Sequence, residues 1–105
     1  MIPKTMKAVV LSEPTAAEQV VLSEVPVPQV RPGWVLVKVK AFGLNHSEQL
    51  LRLREIQADY ISKPIIPGIE CVGEVADASD SRFLAGQKVA ALMGGMGRSF
   101  NGSYA

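Results

Sequence analysis

His46 and Cys71 are the side chains best suited to grip a metal or attack an electrophile, and they are the only histidine and the only cysteine in the sequence. Neither has company. Zinc takes three or four nitrogen, sulfur or carboxylate ligands, and one of each type, far apart in the chain, cannot fill that set. Glu48 and Glu70 could add oxygen, but their spacing matches no metal pattern. Cys71 sits between Glu70 and Val72 on a predicted strand, where a thiol reads as a small core filler. His46 opens a predicted helix, as an exposed side chain or as a polar group lining a pocket. Gly94–Gly95–Met96–Gly97 invites comparison with phosphate-cradling loops. Its spacing fits neither the dinucleotide nor the P-loop fingerprint, and no helix follows to offer its amides. The glycines therefore predict a mobile loop over 93–102. Arg52 and Arg54 read as the solvated face of the helix.

These residues are carried by a chain rich in β-branched side chains, with 13 Val and 6 Ile, interrupted at short intervals by seven Pro and nine Gly. Such residues fit a pleated, half-buried surface better than a helix. Strands are predicted over 6–11, 19–25, 34–41, 69–76 and 87–92. In the clearest of them, Val35, Val37, Val39 and Ala41 share one face, which is expected to be core. Gly73 marks a bulge or a close backbone approach. Asn45, followed three positions later by Glu48, resembles a capping box. Leu50, Leu51, Leu53 and Ile56 then recur at roughly helical spacing, so one helix over about 46–57 is expected before Pro64 and Pro67. The fold class is mostly β with one short helix.

Composition narrows the function classes. Eleven basic against ten acidic residues leave a net charge of +1 and no electrostatic footprint for nucleic acid. The longest apolar run, Val89–Met93, is far short of the ~20 residues that cross a bilayer. The lone cysteine cannot form an internal disulfide, and a cytoplasmic location is expected. The length suits one domain, residues 1–105. Gly102–Ser103–Tyr104–Ala105 reads as the start of a strand, and the chain is expected to be a piece of a longer protein.

Several strings taken in order, MKAVVL at 6–11, PGWVLVKVKAFGLNHSEQLLR at 32–52, PIIPGIECVGEV at 64–75, AGQKVAAL at 85–92 and NGSYA at 101–105, resemble the GroES-like catalytic domain of the medium-chain dehydrogenase/reductase superfamily. The resemblance covers nearly the whole chain. It implies a partly open β-barrel, and a separate Rossmann domain that binds NAD(P), which these residues do not contain. In the zinc-dependent members a cysteine and a histidine ligate catalytic zinc at positions matching Asn45 and Ile69. The sequence is therefore similar to the zinc-independent, quinone oxidoreductase-like branch. That branch implies reduction of quinones, enones or related carbonyl compounds by NADPH, with no zinc. The parent protein would be a homodimer or homotetramer acting on a small molecule. The same resemblance implies Asn45, His46 and Arg52 as cofactor-side residues and Tyr60 as a border of the substrate pocket. Glu70 is expected to be structural or to support the site from behind its contact residues. Two departures stand out: Leu53–Arg54–Glu55–Ile56 replaces a helix-breaking glycine, which predicts one further helical turn, and Gln87 replaces a frequent aspartate. A zinc-type alcohol dehydrogenase relative with altered or lost activity, or a non-enzymatic GroES-like binding module, are the alternative functions.

Overall fold

The computed structural model describes residues 2–105. Two antiparallel sheets carry the chain. In the first, β1 (Thr5–Val9) pairs with β2 (Leu22–Pro26), and in the second β4 (Glu70–Asp77) lies between β3 (Leu36–Ala41) and β5 (Lys88–Leu92). One helix, α1 (His46–Leu53), connects β3 to the irregular segment before β4. The mostly-β class with one short helix is what the residues predict, and the arrangement is consistent with a GroES-like fold that does not close into a barrel.

The edges of the two sheets are joined by main-chain bonds outside the named strands. Leu11 and Ile65 exchange N–H···O bonds of 2.8 Å in each direction, and Val9 donates to the Tyr104 carbonyl at 2.9 Å. Tyr104 in turn donates to Pro67, at 3.0 Å. Residues 101–104 thus run as an extended segment between β1 and the buried 65–68 stretch.

Three expectations are corrected. The helix does not continue to 57: Arg54 leaves helical geometry (φ −139°, ψ −52°) and a separate 3-10 turn, Glu55–Gln57, follows. That break lets Ile56 turn inward, where it joins Leu11, Leu51, Ile61 and Ile65 in the buried cluster under α1. The valine face of β3 is half-buried rather than the heart of the core. Val39 pairs with Gly73 but Ala41 pairs with Val72, so a bulge at Lys40 moves Ala41 to the opposite, exposed face. Alternation counted along the sequence cannot register that extra residue.

The glycine loop is tied down rather than loose. Arg98 and Ser99 donate to Gly95, Gly97 donates to Phe100, and Asn101 accepts from the Ile66 N–H at 3.0 Å. The Phe100 ring meets Trp34 edge-on at 4.9 Å. Gly97 and Gly102 press directly on Gly68; a Cβ on Gly97 would lie 2.6 Å from the Gly68 carbonyl oxygen. Gly73 behaves as expected, since a Cβ there would overlap the carbonyl oxygen of Lys38. Gln87 closes the turn before β5 by both bonding with Leu84 through its main chain and accepting the Leu84 N–H on its side chain at 3.1 Å.

Candidate functional site

Gly43–Leu44–Asn45 leaves β3 and enters α1, with Asn45 as the extended N-cap residue (φ −122°, ψ 153°). From there Asn45, Glu48 and Arg52 fall at i, i+3 and i+7, one stripe of the helix. Glu48 is 5% exposed and uses both carboxylate oxygens. Oε2 accepts the Asn45 N–H at 2.9 Å, and Oε1 accepts the Ile69 N–H at 3.0 Å. One side chain therefore caps the helix and fastens the two positions of interest, Asn45 and Ile69, to each other. A buried N–H left without its acceptor costs about 1–3 kcal/mol, so the carboxylate specifies this juxtaposition strongly.

The Asn45 side chain contrasts with its own main chain. Its Nδ2 is buried and has no hydrogen-bond partner among the described residues. An amide N–H₂ withdrawn from water and left unpaired is a donor waiting for an acceptor.

His46 and Arg52 are already engaged. The His46 ring bonds with Gln49 (Nδ1 to Oε1, 3.0 Å) on the exposed side of the helix. Arg52 donates from Nη1 to the Thr15 carbonyl at 2.7 Å, and its own carbonyl accepts the Thr15 N–H at 3.0 Å. This pair of bonds clamps α1 to the loop that follows β1. Glu70 is half-buried, and its carboxylate fills the space where a side chain on Gly43 would be. Cys71 faces the inner side of β4, opposite to Glu70 and Val72, and burial pushes its thiol above the ordinary value.

The aromatic wall comes from residues to which the sequence assigned no site role. Phe42 and Tyr104 pack ring against ring at 4.8 Å with a 36° tilt. Burial raises the Tyr104 phenol, the negative charge of Glu48 raises it further, and Arg52 partly offsets both. Tyr104 thus lies within electrostatic reach of the α1 stripe. Tyr60, by contrast, is 64% exposed on the turn beyond the 3-10 segment. The signals were present in the sequence: Phe42 adjoins Gly43, and Tyr104 belongs to the NGSYA string.

Neither position that the resemblance matches to a zinc ligand carries a thiolate or an imidazole here. Asn45 offers an amide nitrogen, Ile69 an alkyl group, Cys71 faces the inner side of β4, opposite to Glu70, and His46 turns toward Gln49. Among the described residues no three His, Cys, Asp or Glu side chains come together as a ligand set. The shallow depression of about 420 Å³ on the outer face of β3–β5 is lined by Lys40, Val72, Gly73, Glu74, Lys88, Val89 and Ala90, none of them a predicted site residue.

Comparison with known proteins agrees with the architecture. Residues 31–104 match the alcohol dehydrogenase GroES-like domain. The chain is 46% identical over 72 residues to D-altritol 5-dehydrogenase of Agrobacterium fabrum, covering 66% of this chain and 20% of that protein. It is 39% identical over 90 residues to an alcohol dehydrogenase of Rhizobium meliloti, covering 81% of this chain and 25% of the relative. The yhdH oxidoreductase of Salmonella enterica, solved in complex with NADP, superposes with a TM-score of 0.71 at 30% identity, over 95% of this chain and 31% of that one. The chain spans a fifth to a quarter of the length of the two curated relatives. With the matched region covering most of its length, this chain belongs to the alcohol dehydrogenase GroES-like domain family of the medium-chain dehydrogenase/reductase superfamily.

Proposed function

We propose that this chain is the substrate-side domain of a zinc-independent, NADPH-dependent oxidoreductase that reduces quinones, enones or related carbonyl compounds. The observation that carries the reading is the buried, unpartnered Asn45 amide held beside Ile69 by Glu48. NADPH, when bound, supplies the hydride. The Asn45 Nδ2 donates to an oxygen at the nicotinamide end or on the acceptor, and so fixes orientation. His46 follows Asn45 and Arg52 lies two turns further along the same helix, and both are assigned to the cofactor side. Phe42 and Tyr104 supply an apolar aromatic surface suited to a conjugated acceptor. Without a Lewis acid an alcohol is hard to deprotonate, whereas hydride addition to an activated acceptor needs orientation and donors aimed at the developing oxyanion. The NADP complex of the Salmonella relative supports the choice of cofactor.

The names of the two curated relatives favour a second reading, oxidation of an alcohol or alditol. One experiment separates the two. The full-length protein containing this chain is purified, stripped with a chelator, and offered NADPH with a benzoquinone or an enone, and NAD(P)⁺ with an alditol. Reduction of the quinone or enone, unchanged by chelator, is expected, together with a loss on the order of 10²-fold in kcat/KM for Asn45→Ala. Zinc-dependent alditol oxidation without quinone or enone reduction would establish the second reading instead.

A further inference from the structure

Among the described residues the Asn45 Nδ2 has no hydrogen-bond partner, so its placement depends on how firmly the main chain of residues 45–48 is held. Glu48 grips that turn from one side. The other side is gripped by Arg98, reaching in from the glycine loop. Its Nη1 donates to the Glu55 carboxylate in an ion pair, and its Nη2 donates to the Ser47 carbonyl at 3.1 Å. The Ser47 hydroxyl is buried without a partner among the described residues, so among them the side chain of Ser47 does nothing to fix the turn. Arg98 is itself set by the bonds within its loop, by Asn101 on Ile66, and by the contact of Phe100 with Trp34. Glu55 lies in the 3-10 turn that exists because the helix breaks at Arg54.

We propose that Arg98 is a positioning residue: by holding the Ser47 carbonyl while Glu55 orients its guanidinium, it aims the Asn45 amide at the cofactor. This rests on the reading of Asn45 given above. The planar fork of a guanidinium spans two acceptors in a fixed geometry, which the single ammonium of lysine cannot reproduce. The two arms have different duties. The ion pair to Glu55 binds two segments of the fold together; the bond to Ser47 sets the first turn of α1. A carboxylate at position 98 can pair with a guanidinium at position 55, but it cannot donate to a carbonyl oxygen.

The test uses the full-length protein, with NADPH binding read by nicotinamide fluorescence and folding by thermal unfolding. Arg98→Ala, Arg98→Lys, and the exchanged pair Arg98→Glu with Glu55→Arg are compared with the unchanged protein. Arg98→Lys and the exchanged pair are expected to melt close to the unchanged protein, yet to bind NADPH about tenfold more weakly. Restoration of both stability and affinity by the exchanged pair would overturn the proposal, since the ion pair alone would then suffice. Unchanged affinity in Arg98→Lys that still melts normally would overturn it as well. If the unchanged protein binds no NADPH, the functional reading fails and takes this proposal with it, an outcome distinct from equal binding by every variant.

Discussion

An amide in place of a thiolate and an alkyl chain in place of an imidazole make Asn45 and Ile69 informative before any coordinates are known. Their identities, read against the family pattern, are a sequence property; that they share the Glu48 carboxylate is not, because that bond joins positions 21 residues apart. The same limit applies to Tyr104, whose surroundings come from Phe42, Gly68 and α1. Its phenol is raised by burial first, then by Glu48, with Arg52 opposing. A group whose folded value is raised contributes stability that is fully present below its unfolded value, near 10 for tyrosine, and lost as pH climbs through the folded value. Tyr104→Phe should therefore show a shallower fall in stability than the unchanged chain above about pH 10. Urea midpoints measured from pH 8 to 11 check this, and the Cys71 thiol, also raised, titrates in both proteins and cancels from the difference. Parallel alkaline limbs would show that the phenol is not held in this environment.

At the scale of elements, the strands were legible because β-branched residues and turn formers alternate at short intervals, and β4 and β5 fall within one residue of their predicted bounds. The end of α1 was not legible. Leu53–Arg54–Glu55–Ile56 contains no helix breaker, and the break at Arg54 answers to the demand of the Leu11, Leu51 and Ile65 cluster for Ile56. Packing overrides propensity there. The Lys40 bulge was equally invisible, although Gly73 across the ladder advertised a close approach. Gly73→Ala forces a methyl group onto the Lys38 carbonyl oxygen, and a loss of about 1–3 kcal/mol is expected. Urea unfolding measures it, with the exposed Lys88→Ala as a control that should stay within about 0.5 kcal/mol. A Gly73→Ala chain as stable as the control would mean that β3 and β4 do not approach so closely.

For the whole molecule, the class of fold and the family were legible in the ordered strings, and residues 31–104 match that family. The contacts that make one body of the two sheets were not, because they are main-chain bonds between 65–68 and 101–104, segments that lie outside every strand of the structure. In the proposed scheme the adenosine and pyrophosphate of the cofactor are held by a separate dinucleotide-binding domain. The 105-residue chain alone is accordingly expected to leave NADPH unoxidised in the presence of a quinone. Absorbance of the reduced nicotinamide, followed over hours with chain in excess, checks this, and steady turnover would show that these residues suffice.

The meeting of Gly68, Gly97 and Gly102 has a consequence for how such a domain diversifies. Bare peptide abuts bare peptide at that seam, which leaves no volume for chemical novelty. New specificities are expected in the flanking aromatics and loop side chains, because a side chain added at the seam would force residue 68 away from residues 97 and 102.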